Sequence, residues 1–192
     1  MDETFTAFQG PRRLTTGPLG EVALSVKRIG AETPTPILIF DDRTGRSIDL
    51  DLRGSDAEIT SRLAVKPVEQ SEPATVEPRG RGRPKLGVVA REVTLLPRHW
   101  EWLNAQPGGA SVALRKLVDE ARRANGDRDR ARQAREAAYH FMSAMAGNFP
   151  NFEEASRALF ADDRRRFGEL IADWPADIRD HAIALAYRDL AP

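Results

Sequence analysis

Four cations sit close together among glycines and prolines: Arg79, Arg81, Arg83 and Lys85 in "EPRGRGRPKLG". Such a run has one plain chemistry, attraction to a polyanion. The rest of the sequence offers little else that reacts. His99, His140 and His181 lie about 40 residues apart and share no metal-ligand spacing. His140, in "AAYHFMSAMA", has the surroundings of a packed helix position. Asp41, Asp42, Asp49 and Asp51 cluster around one expected hairpin and could hold a divalent cation, although carboxylates on an exposed strand most often form a solvated face. There is no cysteine, no glycine-rich phosphate loop and no nucleophile elbow. The Arg run in "DDRRRFGEL" is framed by acids and reads as a salt-bridged surface. The expectation is therefore a binding protein, not an enzyme, with no cofactor and no metal.

Charge is distributed in the same sense. The 192 residues carry 29 basic and 29 acidic side chains, a net charge of zero. Residues 79–135 hold 14 of the basic and 6 of the acidic ones, while 136–192 hold 6 and 10. A continuous basic third between mildly acidic neighbours is the pattern of a local polyanion-binding segment. No apolar run approaches the roughly 20 residues of a membrane helix, and "MDETFTAFQG" lacks the features of a secretory signal. A soluble cytoplasmic protein is expected.

Arg81-Gly82-Arg83-Pro84, flanked by Arg79 and Lys85, resembles the AT-hook, a peptide that lies in the DNA minor groove. Glycine keeps the backbone thin enough for a groove about 6 Å wide. The arginines run along its negative floor, deepest in A·T tracts, and proline holds the chain extended. Double-stranded DNA, A·T-rich by preference, is the implied partner.

The next segment, "REVTLLPRHWEWLNAQPGGASVALRKLVDEARRA", resembles a ribbon–helix–helix domain. The resemblance implies a homodimer whose paired strands enter the major groove, with the cap of the second helix holding a phosphate. Arg91, Val93 and Leu95 would then face the groove. Ser111 and the amides of Val112 and Ala113 would clamp phosphate, and Leu96, Trp100, Leu103, Leu114, Leu117 and Val118 would form the dimer core, with Trp102 in the core or at the interface. Thr94 shares the face of Leu96 in this register. A shift of one residue would expose Glu92, Thr94 and Leu96 instead, a set little better because Glu repels phosphate.

These residues need elements to hold them. "TFTAF" and "RRLTT" flank "QGP" as a hairpin, and Pro18 opens a helix that closes at Gly30. "PILIF" reads as a buried strand and "SIDLDL" as a strand with one wet face. Ser55 and Glu58 form a capping box ahead of another helix. Residues 1–64 thus form a ββαββα module. Residues 65–87, with Pro67, Pro73, Pro78 and Pro84, read as an extended disordered basic linker. Residues 88–125 form the ribbon–helix–helix-like unit, with a strand in "VVAREVTLL" and a second helix capped by Ser111 and ended by Asn125-Gly126. Residues 126–192 form a helical region with start signals at Asn151, Asp162 and Pro175. The fold class is α+β.

The order of segments resembles an uncharacterised bacterial family, a domain of unknown function. "ALSVKRIG", "PILIFDDRTGRSIDLDLRGS", "GRPKLGVVAREVTLLPRHWEWLNAQPGGASVALRKLVDEARRA" and "FMSAMAGNFPNFEEASRALF" carry the match. It implies a bacterial origin and no known activity. The residues point to a transcriptional regulator or a nucleoid-associated factor. The other class open at this point is a dimeric adaptor or antitoxin-like module, with a protein partner on the amino-terminal module or the carboxy-terminal helices.

Overall fold

The computed structural model describes residues 3–30, 35–64, 89 and 91–188. The chain divides into two compact units, residues 1–66 with 127–192, and residues 67–126.

The first unit is built on a four-stranded antiparallel sheet. Strands β1 (Phe5–Gln9) and β2 (Arg12–Gly17) form the expected hairpin, turning at Gly10 with a φ of 53°. A bulge interrupts their register between Ala7 and Phe8. Helix α1 (Leu19–Gly30) leads to β3 (Ile37–Asp41) and β4 (Arg46–Ile48), and the strand order is β2-β1-β3-β4. Helix α2 (Asp56–Ala64) completes the ββαββα order. Its capping box is formed: the Glu58 amide donates to Ser55 Oγ at 3.3 Å, and the Ser55 amide donates to Glu58 Oε2 at 2.6 Å.

Both faces of this small sheet are covered, which explains why β3 is a continuous apolar run as far as Phe40 and why β1 is buried from Phe5 to Phe8. Period two sends Phe5, Ala7 and Ile39 to one face, where Val22 and Val26 of α1 pack on them. Phe8 and Phe40 point the other way, into a larger cluster with Phe141, Met142, Leu159, Phe167 and Ile178. That cluster is supplied by the second half of α4 (Gly109–Met145), by α5 (Phe152–Phe160), by α6 (Arg164–Leu170) and by α7 (Ala176–Ala186). Phe141 is its centre, with ring centroids 5.2 Å from Phe8, 5.0 Å from Phe40 and 4.6 Å from the His181 imidazole. The β3–β4 turn also closes on α4. Gly45 has a φ of 66°, and a Cβ there would stand 1.8 Å from the Ala137 carbonyl oxygen.

Three sequence expectations are corrected. β4 is three residues long rather than six, and Leu50 and Leu52 pack against the α1-side core without joining a ladder. α6 is capped by Asp163, whose side chain accepts from the Arg166 amide at 2.9 Å, one residue beyond the expected Asp162. The helix thought to end at Asn125-Gly126 does not end there; α4 runs through both for 37 residues. Asn125 Nδ2 bonds back to the Ala121 carbonyl, and the turns on either side hold strong helix formers. One interior glycine costs about 1 kcal/mol, too little to stop a helix in which Arg130–Asp127 and Arg132–Asp129 pair beyond it.

The second unit contains α3 (Pro97–Asn104) and the first half of α4. Pro97 occupies the first position of α3, where its missing N–H costs nothing. Gly108 and Gly109, at φ 85° and 74°, make the turn into α4.

Candidate nucleic-acid interface

The minor-groove candidates Arg79, Arg81, Gly82, Arg83, Pro84 and Lys85 lie outside the described residues. The rest of the expected interface can be placed. Residues 91–96 form no strand, although "VVAREVTLL" has strand composition. Ladder hydrogen bonds require a second strand, and among the described residues none lies against this segment. Arg91, Val93 and Thr94 are exposed, and Leu95 is half-buried.

The expected phosphate clamp moves. α4 starts at Gly109, so Ser111 stands inside the first turn rather than ahead of it and is not the cap. The unbonded N–H groups of a helix are its first four, which places the Ala113 amide within the hydrogen-bonded ladder. The amide-rich end is therefore formed by residues 110–112, and Ser111 and Val112 remain in it.

The residues expected in a dimer core divide sharply. Leu103 is buried, and with Ala113 it makes up all the buried side chains among the described residues of this unit. Leu114 is half-buried. Leu96, Trp100, Leu117 and Val118 are exposed, as is Trp102 at 52%. On α4, Ala113, Leu114, Leu117 and Ala121 fall on one face by helical spacing. Arg115, Lys116, Arg122 and Arg123 fall on the opposite side, at i, i+7 intervals. Sequence reading overlooked this second row, although all four residues lie in the helix expected between Ser111 and Asn125 and their spacing was visible there. Of these four, only Arg123 has a local bond, donating Nε to the Asp119 carbonyl at 3.1 Å. Arg115, Lys116 and Arg122 make no ion pair among the described residues.

The carboxylates that might have held a cation are spent separately. Asp41 accepts from the Arg43 amide and the Thr44 hydroxyl, Asp42 turns inward to Thr6, and Asp51 pairs with Arg53 at 2.8 Å. That Arg53 hydrogen bond holds the Asp51 carboxyl down at a pKa of about 2. Among the described residues no group of three or more histidines and carboxylates is placed to hold a metal. Arg46 Nη2 donates to His140 Nε2 at 3.1 Å. No described helix is long and apolar enough to cross a membrane.

A family model for an uncharacterised protein conserved in bacteria, DUF2239, matches residues 4–186. This chain belongs to the DUF2239 family. The match runs from the start of the DUF2239 sheet to the end of α7 and includes both units. No curated protein and no solved structure matches the chain.

Proposed function

We propose that this DUF2239 protein is a homodimeric, non-enzymatic DNA-binding protein of the bacterial cytoplasm, a transcriptional regulator or nucleoid-associated factor. The observation that carries the reading is the state of the second unit. It buries two side chains among its described residues, exposes Trp102, Leu117 and Val118, and sets unpaired Arg115, Lys116 and Arg122 opposite its apolar face. Two buried side chains cannot offset the conformational entropy of ordering two helices. An apolar face on one side suits a second copy, and a basic row on the other suits a phosphate backbone. Arg81 and Arg83 would extend the contact into the minor groove, Arg91 would lie along the major groove, and residues 110–112 would receive a phosphate at a helix end. The hook and the helical unit, joined by few residues, would bind bivalently.

Fluorescence anisotropy of labelled A·T-rich and G·C-rich duplexes tests this, from about 50 to 200 mM salt. Log affinity should fall with log salt at a slope of about −4 or steeper if five or so phosphates are neutralised. Arg81→Ala with Arg83→Ala should abolish the A·T preference. Arg115→Ala with Arg122→Ala should weaken both duplexes equally and flatten the slope. Negligible affinity at the lowest salt would overturn the reading in favour of a dimeric adaptor whose exposed tryptophans receive a protein partner.

A further inference from the structure

The turn between β3 and β4 is held from two sides. Within it, the Asp41 carbonyl accepts from the Thr44 and Gly45 amides at 3.1 and 2.8 Å, and the Asp41 carboxylate accepts from the Arg43 amide and the Thr44 hydroxyl. Against it stands α4, so close at Ala137 that a side chain at position 45 would meet the helix backbone. Arg43 and Arg46 are therefore carried by a rigid turn, one before and one after its contact with α4. Cations fixed in this way lose less freedom on binding than cations on a loose loop.

Two clefts of the first unit lie beside that contact. One, of about 230 Å³, is lined in part by Arg43, Arg130, Gln133 and Arg188. The other, of about 300 Å³, is lined in part by Arg43, Arg46, Gln133, Glu136 and His140. They share Arg43, Gln133 and Ala137. Together they follow α4 from Arg130 to His140, a rise of about 15 Å.

The charge along this track is positive and in part uncompensated. Arg43, Arg46, Arg130 and Arg188 are all exposed. Arg43 meets Asp41 at 3.6 Å, and Arg130 meets Asp127. Arg46 and Arg188, one in each cleft, are held differently. Arg46 Nη2 donates to His140 Nε2 at 3.1 Å, and Arg188 Nη2 donates to the Asp42 carbonyl. Neither acceptor carries a negative charge, and neither arginine has an ion pair among the described residues. Each bond fixes the direction of a guanidinium while leaving its charge and most of its five N–H donors free for another partner. Two acids line the clefts, but Asp42 is buried and bonded to Thr6, and Glu136 faces Arg132 at 4.0 Å.

We propose that this track is a further nucleic-acid contact, taking phosphates of one strand of a DNA duplex at Arg46 and Arg188, with Arg43 and Arg130 beside them. The inference rests on the DNA-binding reading above and extends the contact from residues 79–126 to the first unit. Each strand of B-DNA carries about one charge per 3.4 Å of axis, so a run of about 15 Å spans about four phosphates. A repeating charge suits a track with an uncompensated cation in each of two adjoining clefts. The contact is to the backbone, so it adds affinity without adding sequence preference.

The test is an anisotropy titration of the full-length protein with A·T-rich and G·C-rich duplexes, from about 50 to 200 mM salt. Arg46→Gln with Arg188→Gln is expected to lose about tenfold in affinity for both duplexes near 100 mM salt and to flatten the salt slope by about 2. Because Arg188 also holds the Asp42 carbonyl, Arg46→Gln is measured alone and should flatten the slope by about 1 with an unchanged far-ultraviolet spectrum. Arg46→Lys, which keeps the charge, should keep the slope. Arg157→Gln removes a charge elsewhere on the first unit, where Arg157 pairs with Glu153 and Glu154, and should change nothing. Wild-type affinity and slope in the double variant overturn this inference and leave the DNA-binding reading standing. A loss in Arg157→Gln as large as in Arg46→Gln also overturns it, since net charge alone would then be at work. A loss confined to one duplex overturns the backbone assignment. No binding by the wild-type protein at the lowest salt overturns the DNA-binding reading and this inference with it.

Discussion

Helix α5 and the first half of α4 both carry apolar residues at helical spacing, yet they end differently. In α5, Ala155, Ala158 and Leu159 are buried against the sheet-centred core. In α4, Leu117 is 42% exposed and Val118 is 55% exposed, with Arg115 and Lys116 beside them. The sequences are not very different in apolar content. What differs is the supply of surface to pack on. α5 has a sheet buried on both faces and two more helices around it. The first half of α4 has α3, eight residues long with one buried side chain. One region buries its apolar residues in a shared core, and the other, among its described residues, leaves an apolar face exposed. A helix pattern therefore says which face wants burial but not whether the chain itself provides it.

The sharpest way to break this comparison is to damage the complete region. Phe141→Ala removes a fully buried ring from the junction of sheet and helices and should cost about 3–5 kcal/mol, read by urea denaturation. Gly45→Ala should cost about 2–4 kcal/mol, because the new methyl meets the Ala137 carbonyl and the residue must hold a positive φ. Leu117→Asp sharpens the contrast from the other side. It should change the unfolding of the first unit by no more than about 0.5 kcal/mol, since Leu117 is 42% exposed and is not among that unit's buried residues, while sedimentation should show the proposed dimer converted to monomer. If Leu117→Asp is as damaging as Phe141→Ala, the two regions are not different in kind.

The smallest effect concerns the loop before α2. The Asp51 pKa, held at about 2 by Arg53 against an ordinary 3.8, is depressed in the folded state. Its contribution is therefore present above pH 3.8 and lost as pH falls toward 2. Asp51 is solvent-exposed, so Asp51→Asn should leave neutral stability nearly unchanged and only flatten the acid limb of a stability–pH curve.

Much of the first unit was legible because its signals are local. Pro18 and Gly30 bracket α1, the apolar run "ILIF" marks β3, and Ser55 with Glu58 closes a capping box that the structure reproduces bond for bond. The failures share a cause as well. Asn125-Gly126 is a stop signal only where flanking turns are weak, and here they are strong. A strand over 91–96 needs a neighbour that composition cannot supply. Asp42 and His181, far apart in sequence, are brought together by the packing of the β3–β4 turn and α7, and no spacing rule connects them. Of the candidate interface, the basic composition was read and the row from Arg115 to Arg123 was overlooked, although all four cations lie within the helix expected to end at Asn125-Gly126 and its spacing was legible there.

The central claim is that residues 97–124 complete their packing on a second copy. Amide hydrogen exchange at low and high protein concentration tests it directly. Protection in α3 and in α4 as far as Ala124 should rise with concentration, while protection in β1, β3 and α5 stays constant. Protection of residues 97–124 that is strong and independent of concentration would contradict the account, since it would mean that this unit needs no partner to hold its helices.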